Sequence, residues 1–190
     1  MSSSVNLSER WQTHPRIWLT GYMGAGKSTV GKHLARQLGW GFTDTDRELT
    51  SRYNKPMSQI FADHGEAAFR QAELELLKQL ATSQRRVIST GGGTLVRQEA
   101  MAVALASGVV VYLKAPVELL FERVIYSPKD RPMIDVPDAE AMFVQRFRER
   151  EPFYLQAHVS VPTGQGKPHA VVEAIAQALS ISSLLKDTRA

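Results

Sequence analysis

The chain has 190 residues, 43% of them hydrophobic and 22% charged, with a formal net charge of +4. That length suits one domain around a single core, and the modest, dispersed positive charge argues against a nucleic-acid binder, which gathers its basic residues in a stripe. No apolar run reaches the roughly 20 residues of a membrane helix, and the lack of cysteine excludes disulfides, thiolate metal sites and a cysteine nucleophile and suits a reducing cytoplasm.

Residues 1–14 are polar and serine-rich and read as a loose arm, without the apolar centre of a secretory signal. Ile17-Trp18-Leu19-Thr20 is a short apolar run that reads as a buried strand. It leads into Gly21-Tyr22-Met23-Gly24-Ala25-Gly26-Lys27-Ser28-Thr29, which has the phosphate-binding spacing G-x-x-x-x-G-K-[ST]. Val30, Leu34 and Leu38 then recur at helical spacing, with Ala35 alongside, and Gly39 is a helix stop. The motif therefore sits in the strand–loop–helix context its chemistry needs. Its glycines let backbone N–H groups converge on a polyphosphate, and the helix N-terminus adds partial positive charge. Lys27 supplies an ammonium for the β- and γ-phosphates, and the Ser28 hydroxyl is a Mg²⁺ ligand.

Trp40-Gly41-Phe42-Thr43 reads as a second strand ending at Asp44-Thr45-Asp46. Two carboxylates at the C-terminal end of a strand can serve Mg²⁺ and a substrate hydroxyl, or simply cap the next helix; a phosphate loop one helix upstream favours the first. Helical stretches follow over about 46–53 and 58–62, broken near Pro56, and over 66–80 with Phe69, Ala72, Leu76 and Leu80 on one face. Arg70 lies beside that apolar stripe. Residues 86–90 form a third strand running into Gly91-Gly92-Gly93, where the lack of Cβ atoms lets backbone approach a ligand or merely loosens a loop.

A helix near 98–106 leads to Val109-Val110-Val111-Tyr112-Leu113, the clearest buried strand, and Pro116 opens another helix. Residues 127–137 carry three prolines and four charged side chains, the composition of a mobile lid. Arg131 in that segment is placed either to close over a transferring phosphate or to sit in solvent. A helix over 138–154 aligns Phe143, Phe147 and Tyr154, and Arg150 falls on the same line. An inward-facing guanidinium is costly unless paired, whether by a bound anion or an internal carboxylate. A short strand at 158–161, a turn at 163–168 and a helix near 170–179 complete the series. Strands alternate with helices, so the class is α/β with a parallel sheet. The histidines form no metal-binding pattern, and Asn54-Lys55-Pro56-Met57 lacks the aspartate of a guanine-reading motif, which sets aside a GTPase switch.

Taken together, these motifs resemble the shikimate kinase family from about residue 16 to 180. They are GYMGAGKST, the DTD, Phe61 with Gly65-Glu66-Ala67-Ala68-Phe69-Arg70, the GGG after a strand, Arg131-Pro132, and Arg150 two residues before Pro152. The resemblance implies a five-stranded parallel sheet flanked by helices, a P-loop fold of the nucleoside monophosphate kinase type with a lid. It implies one kinase domain over 15–181, with a substrate-binding subdomain at about 46–80, a lid at about 127–137 and a frayed tail over 182–190. It further implies ATP- and Mg²⁺-dependent phosphorylation of the 3-hydroxyl of shikimate, on the route to chorismate and the aromatic amino acids, by a cytoplasmic monomer that binds neither nucleic acid nor membrane. Carried onto this chain, Gly24, Ala25, Gly26, Lys27, Ser28, Thr29 and Arg131 hold ATP, and Ser28 and Asp44 serve Mg²⁺. Asp46, Arg70, Gly92, Gly93 and Arg150 bind shikimate, with Phe61 and Phe69 as apolar walls. Lys27, Asp46 and Arg131 are the catalytic set, and Arg123 and Gln165 are the adenine-side candidates. The competing readings are another small-metabolite kinase, such as a gluconate kinase, and a catalytically inactive binding protein of the same family.

Overall fold

The five apolar runs become five parallel strands in the computed structural model, which describes residues 7–126, 138–164 and 166–185. They are β1 (Arg16–Thr20), β2 (Gly41–Asp44), β3 (Arg86–Ser89), β4 (Val109–Lys114) and β5 (Val159–Pro162), in the spatial order β2-β3-β1-β4-β5. The central β1 is buried along its length and pairs Ile17 with Val87 on one side and Val109 on the other. Side chains alternate with the pleat. Ile17, Leu19, Val87, Val109 and Val111 enter one core layer, and Trp18, Ile88 and Val110 the opposite one.

Helices cover both faces. α2 (Lys27–Leu38), α7 (Ala139–Tyr154) and α8 (Pro168–Ala178) lie over the first layer, while α4 (Met57–Leu80) and α5 (Gln98–Ser107) lie over the second. Gly39 closes α2 in the left-handed conformation (φ 66°), as the sequence suggests. α3 (Thr45–Tyr53) and both parts of α4 share a small core of their own, built on Leu49, Ile60, Phe69 and Leu76. At Gly65 the chain takes φ 75° and ψ 168°, so α4 is two helices meeting at a kink. α6 (Val117–Ile125) follows β4, with Pro116 at its N-cap.

Two expectations need correction. The arm is not loose throughout, because Leu7–Thr13 forms a helix, α1. Leu7 and Trp11 pack on the main core, and Arg10 donates from Nε to the Gly108 carbonyl (3.1 Å) and from Nη2 to the Leu105 carbonyl. A polar sequence hid two apolar anchors one helical turn apart. The tail likewise does not fray at 182: a 3₁₀ turn spans Ser182–Leu184, and Leu185 rests against the core. The lid segment 127–137, with Arg131, and Gln165 lie outside the described residues. Among the described residues, no helix is long and apolar enough to cross a membrane.

Candidate active site

Because the sheet continues to β3 and β2 on one side of β1 and to β4 and β5 on the other, the loops at the strands' C-terminal ends part there. A crevice of this kind is where open α/β sheets take ligands. Here it holds a cleft of about 560 Å³, into which the Lys27–Thr29 segment, Asp44, Asp46, Gly92, Gly93, Arg123 and Arg150 all project.

Three glycines give the phosphate loop its shape. Gly21, Gly24 and Gly26 have φ of 139°, 84° and 86°, values that side chains with a Cβ seldom adopt. The loop then delivers the start of α2, where Lys27 Nζ donates to the carbonyls of Gly21 (2.8 Å) and Tyr22 (3.0 Å). The ammonium is thus held across the mouth of its own loop. Ser28 Oγ donates to Asp44 Oδ2 at 2.5 Å. Asp44 also caps α3, its Oδ1 accepting from the Arg47 N–H at 3.3 Å. The two readings of this aspartate are therefore compatible, since one oxygen caps and the other faces Ser28. A serine hydroxyl and one carboxylate oxygen, with Asp46 in the same cleft, form a sparse, hard, all-oxygen donor set. That suits Mg²⁺, which keeps several waters and takes its remaining ligands from phosphate.

The Gly91–Gly93 strip touches a different functional group at each residue. A Cβ on Gly91 would strike the Asp46 carboxylate and lie 2.8 Å from Thr94 Oγ1. Its amide donates to Thr45 Oγ1 at 3.0 Å. A Cβ on Gly92 would lie 3.5 Å from the Met23 nitrogen, in contact with the phosphate loop. On Gly93 it would lie 3.4 Å from Arg70 Nη1 and 3.9 Å from Arg150 Nη1. None of the three needs a positive φ. At Gly91 close approach, not backbone freedom, excludes a side chain, whereas a Cβ on Gly92 or Gly93 would make only ordinary contacts.

The two arginines reach this strip from different elements and in different states. Arg70, on α4, has carboxylate partners: Nη1 meets Glu73 Oε2 at 2.7 Å, and Nη2 meets Glu66 Oε1 at 3.2 Å. Its guanidinium also lies 5.8 Å and 5.5 Å from the ring centres of Phe61 and Phe69, which pack on each other at 4.3 Å. Burial by itself would lower the Arg70 pKa, but Glu73 and then Glu66 outweigh it and hold it above the ordinary value. Arg150, on α7, has no carboxylate partner among the described residues. It lies over the Tyr22 ring at 5.6 Å and is half-buried. An anion entering the cleft therefore meets one guanidinium already paired with carboxylates, and a second that has no carboxylate partner among the described residues.

Sequence reasoning passed over Glu73, Thr94 and Arg97 in this arrangement, though it named Arg123. Glu73, only 3% exposed, accepts from both Arg70 and Thr94 Oγ1 (2.7 Å). Arg97 Nη2 donates to the Arg70 carbonyl at 2.9 Å. The available signal for Glu73 was its spacing, four residues after Phe69 on the apolar face of its helix. Arg123 donates from Nη1 to the Gly24 carbonyl (3.4 Å) and from Nη2 to the Thr163 carbonyl (2.9 Å) and that of Gly164. It thereby joins the phosphate loop to the turn after β5. A recess of about 190 Å³ lies there, lined in part by Ala25, Arg123, Thr163 and Pro168.

Comparison with known proteins over most of the chain points to one family. The family model for shikimate kinase matches residues 23–180. The shikimate kinase of Acinetobacter baumannii (strain AYE) is 37% identical over 180 residues, 94% of this chain and 99% of its own length. That of Synechococcus sp. (strain JA-3-3Ab) is 40% identical over 164 residues, 86% of each chain. Among solved structures, a shikimate kinase from Acinetobacter baumannii in complex with shikimate superposes with a TM-score of 0.82 at 36% identity, covering 92% of this chain and 98% of that one. A deoxyadenosine kinase from M. mycoides shares the fold at a TM-score of 0.61 and 17% identity, over 87% and 98% of the two chains. The chain belongs to the shikimate kinase family.

Proposed function

We propose that this member of the shikimate kinase family transfers the γ-phosphoryl group of ATP to the 3-hydroxyl of shikimate, in the route to aromatic amino acids. The observation that carries the reading is the meeting in one cleft of a phosphate loop, two aspartates at one strand end and a half-buried arginine with no carboxylate partner among the described residues. Shikimate's chemistry fits this: a planar carboxylate suits the arginine forks, and a ring hydroxyl suits an aspartate.

Gly24 to Thr29 bind the phosphates with their amides, and Lys27 follows the charge that builds on the γ-phosphoryl oxygens. Asp46, held against Gly91, orients the hydroxyl and offers it a proton acceptor. Arg70 and Arg150 fix the carboxylate on either side of Gly93, and with it the distance of the hydroxyl from the phosphate loop. Ser28 and Asp44 would hold Mg²⁺, which when bound neutralises phosphate charge. Arg131, on the segment read as a lid at 127–137, adds a second cation over the phosphates, and Arg123 flanks the adenine. The kinase domain spans 15–181 with a substrate-binding subdomain at about 46–80, and the protein works as a cytoplasmic monomer without nucleic acid or membrane.

The test is a coupled assay for ADP release with Mg²⁺ and ATP, run with shikimate, with gluconate and with neither. Release that depends on shikimate supports the reading, and release that depends on gluconate replaces it. A chain that binds shikimate calorimetrically but releases no ADP is the inactive binding protein. Light scattering after gel filtration tests the monomer.

A further inference from the structure

Tyr154 is fully buried at the end of α7, one helical turn beyond Arg150. Its hydroxyl donates to the Gly92 carbonyl at 2.6 Å, a bond spanning 62 residues of chain. Gly92 is the middle residue of the strip whose neighbours touch Asp46 on one side and both arginines on the other, and it lies against the phosphate loop itself. One hydrogen bond thus fixes the strip to the helix that carries Arg150. The ring is set from behind by Tyr112, 5.3 Å away between centres. Tyr112 in turn donates to Glu151 Oε1 (3.4 Å) on the same helix. The phenol does not line the cleft, and burial raises its pKa well above the ordinary value against the opposing pull of Arg150 beside it, so it stays a neutral donor.

We propose that Tyr154 is a positioning residue for the acid substrate, locking the Gly91–Gly93 strip to Arg150 so that carboxylate anchor and reacting hydroxyl keep one fixed separation. This rests on the reading of the cleft as the shikimate site. Without the bond, the Gly92 carbonyl is free to swing toward the cleft, and the strip and Arg150 move independently. Shikimate then pays in ordering what the folded protein had already supplied. The nucleotide keeps its own loop and helix and is spared.

The test is Tyr154→Phe, which removes one oxygen and keeps the ring. Loss of a single buried hydrogen bond lowers Tm by about 2–4 °C, far too little to unfold the chain. The expected result is a KM for shikimate raised roughly fivefold to tenfold, with the KM for ATP within about twofold of wild type. Tyr112→Phe is the control: it removes a buried hydroxyl from the same aromatic pair without touching the strip, and leaves both KM values within about twofold. A Tyr154→Phe enzyme that melts lower but keeps its KM for shikimate, or that loses both substrates equally, overturns the proposal in favour of a purely structural tyrosine. Wild-type protein that turns over no shikimate at all would instead refute the function, a separable outcome.

Discussion

Replacing Glu73 with glutamine separates a buried ion pair from an exposed one on the same arginine. Glu73 is 3% exposed and accepts from Arg70 Nη1 and Thr94 Oγ1, each at 2.7 Å. In Glu73→Gln the side-chain amide retains one acceptor oxygen and gains N–H donors that cannot face the guanidinium. The amide can turn its oxygen to Arg70 and donate its N–H to Thr94 Oγ1, whose hydroxyl then accepts, so both hydrogen bonds persist and what is lost is the charge attraction. Breaking a fully buried pair costs about 3–5 kcal/mol. Because the Arg70 side chain is 22% exposed and Glu66 remains beside it, about 2–3 kcal/mol is the expected destabilisation. For a domain of this size that is a fall in Tm of about 5–10 °C by calorimetry. The same change weakens the hold on Arg70 beside Gly93, so the KM for shikimate rises more than that for ATP. Glu66→Gln is the contrast, since Glu66 is 72% exposed. An exposed pair is worth about 0–1 kcal/mol, so its Tm falls by less than about 3 °C. Equal melting temperatures for the two variants would refute the placement of Glu73 as the buried anchor of Arg70.

Arg150→Ala should weaken shikimate use by about thirtyfold to a few thousandfold in kcat/KM, with ATP binding nearly unchanged, and Arg150→Lys should recover only part of it. A large Tm loss without selectivity for shikimate would count against the anchor role. Lys27→Ala should nearly abolish turnover in a folded protein, as circular dichroism and single-turnover kinetics would show. Asp44→Asn should shift the Mg²⁺ dependence of the rate, whereas Asp46→Asn should lower kcat at saturating Mg²⁺; superimposable Mg²⁺ titrations would remove the distinction. His158 Nδ1 accepts from the Val110 N–H at 3.0 Å, and burial, then the Arg10 charge, push its pKa down to about 4. The unfolded chain protonates this imidazole near pH 6.5. Its stabilising contribution is thus complete above pH 6.5 and lost as pH falls from there to about 4, about 2 kcal/mol after allowance for partial exposure. Urea unfolding at pH 7 and pH 4.5 should show a loss that His158→Gln reduces.

The strand runs, the phosphate loop and the DTD were legible in the sequence because each is local. Gly21 to Thr29 need only their own residue types and spacing to form a phosphate cradle, and an unbroken apolar run such as Val109 to Leu113 has one comfortable place, the middle of a sheet. The place of Arg150 on an apolar face was readable too, because helical periodicity puts it in line with Phe143 and Phe147. What covers its charge was not, since a carboxylate partner can come from anywhere in the chain. Only the fold showed that Arg70 has such partners and that Arg150 lacks one among the described residues. The same limit hid Tyr154, whose meaning lies in a carbonyl 62 residues away. It also hid why residue 91 is glycine, which is the approach of the Asp46 carboxylate and the Thr94 hydroxyl. Composition misled at the first helix, where a polar sequence folds because Leu7 and Trp11 find core to cover and Arg10 finds the open carbonyls at the end of α5. Local chemistry is written in the order of residues. Charge balance and close approach depend on which parts of the chain meet, and that is decided only when the sheet brings its strand ends together.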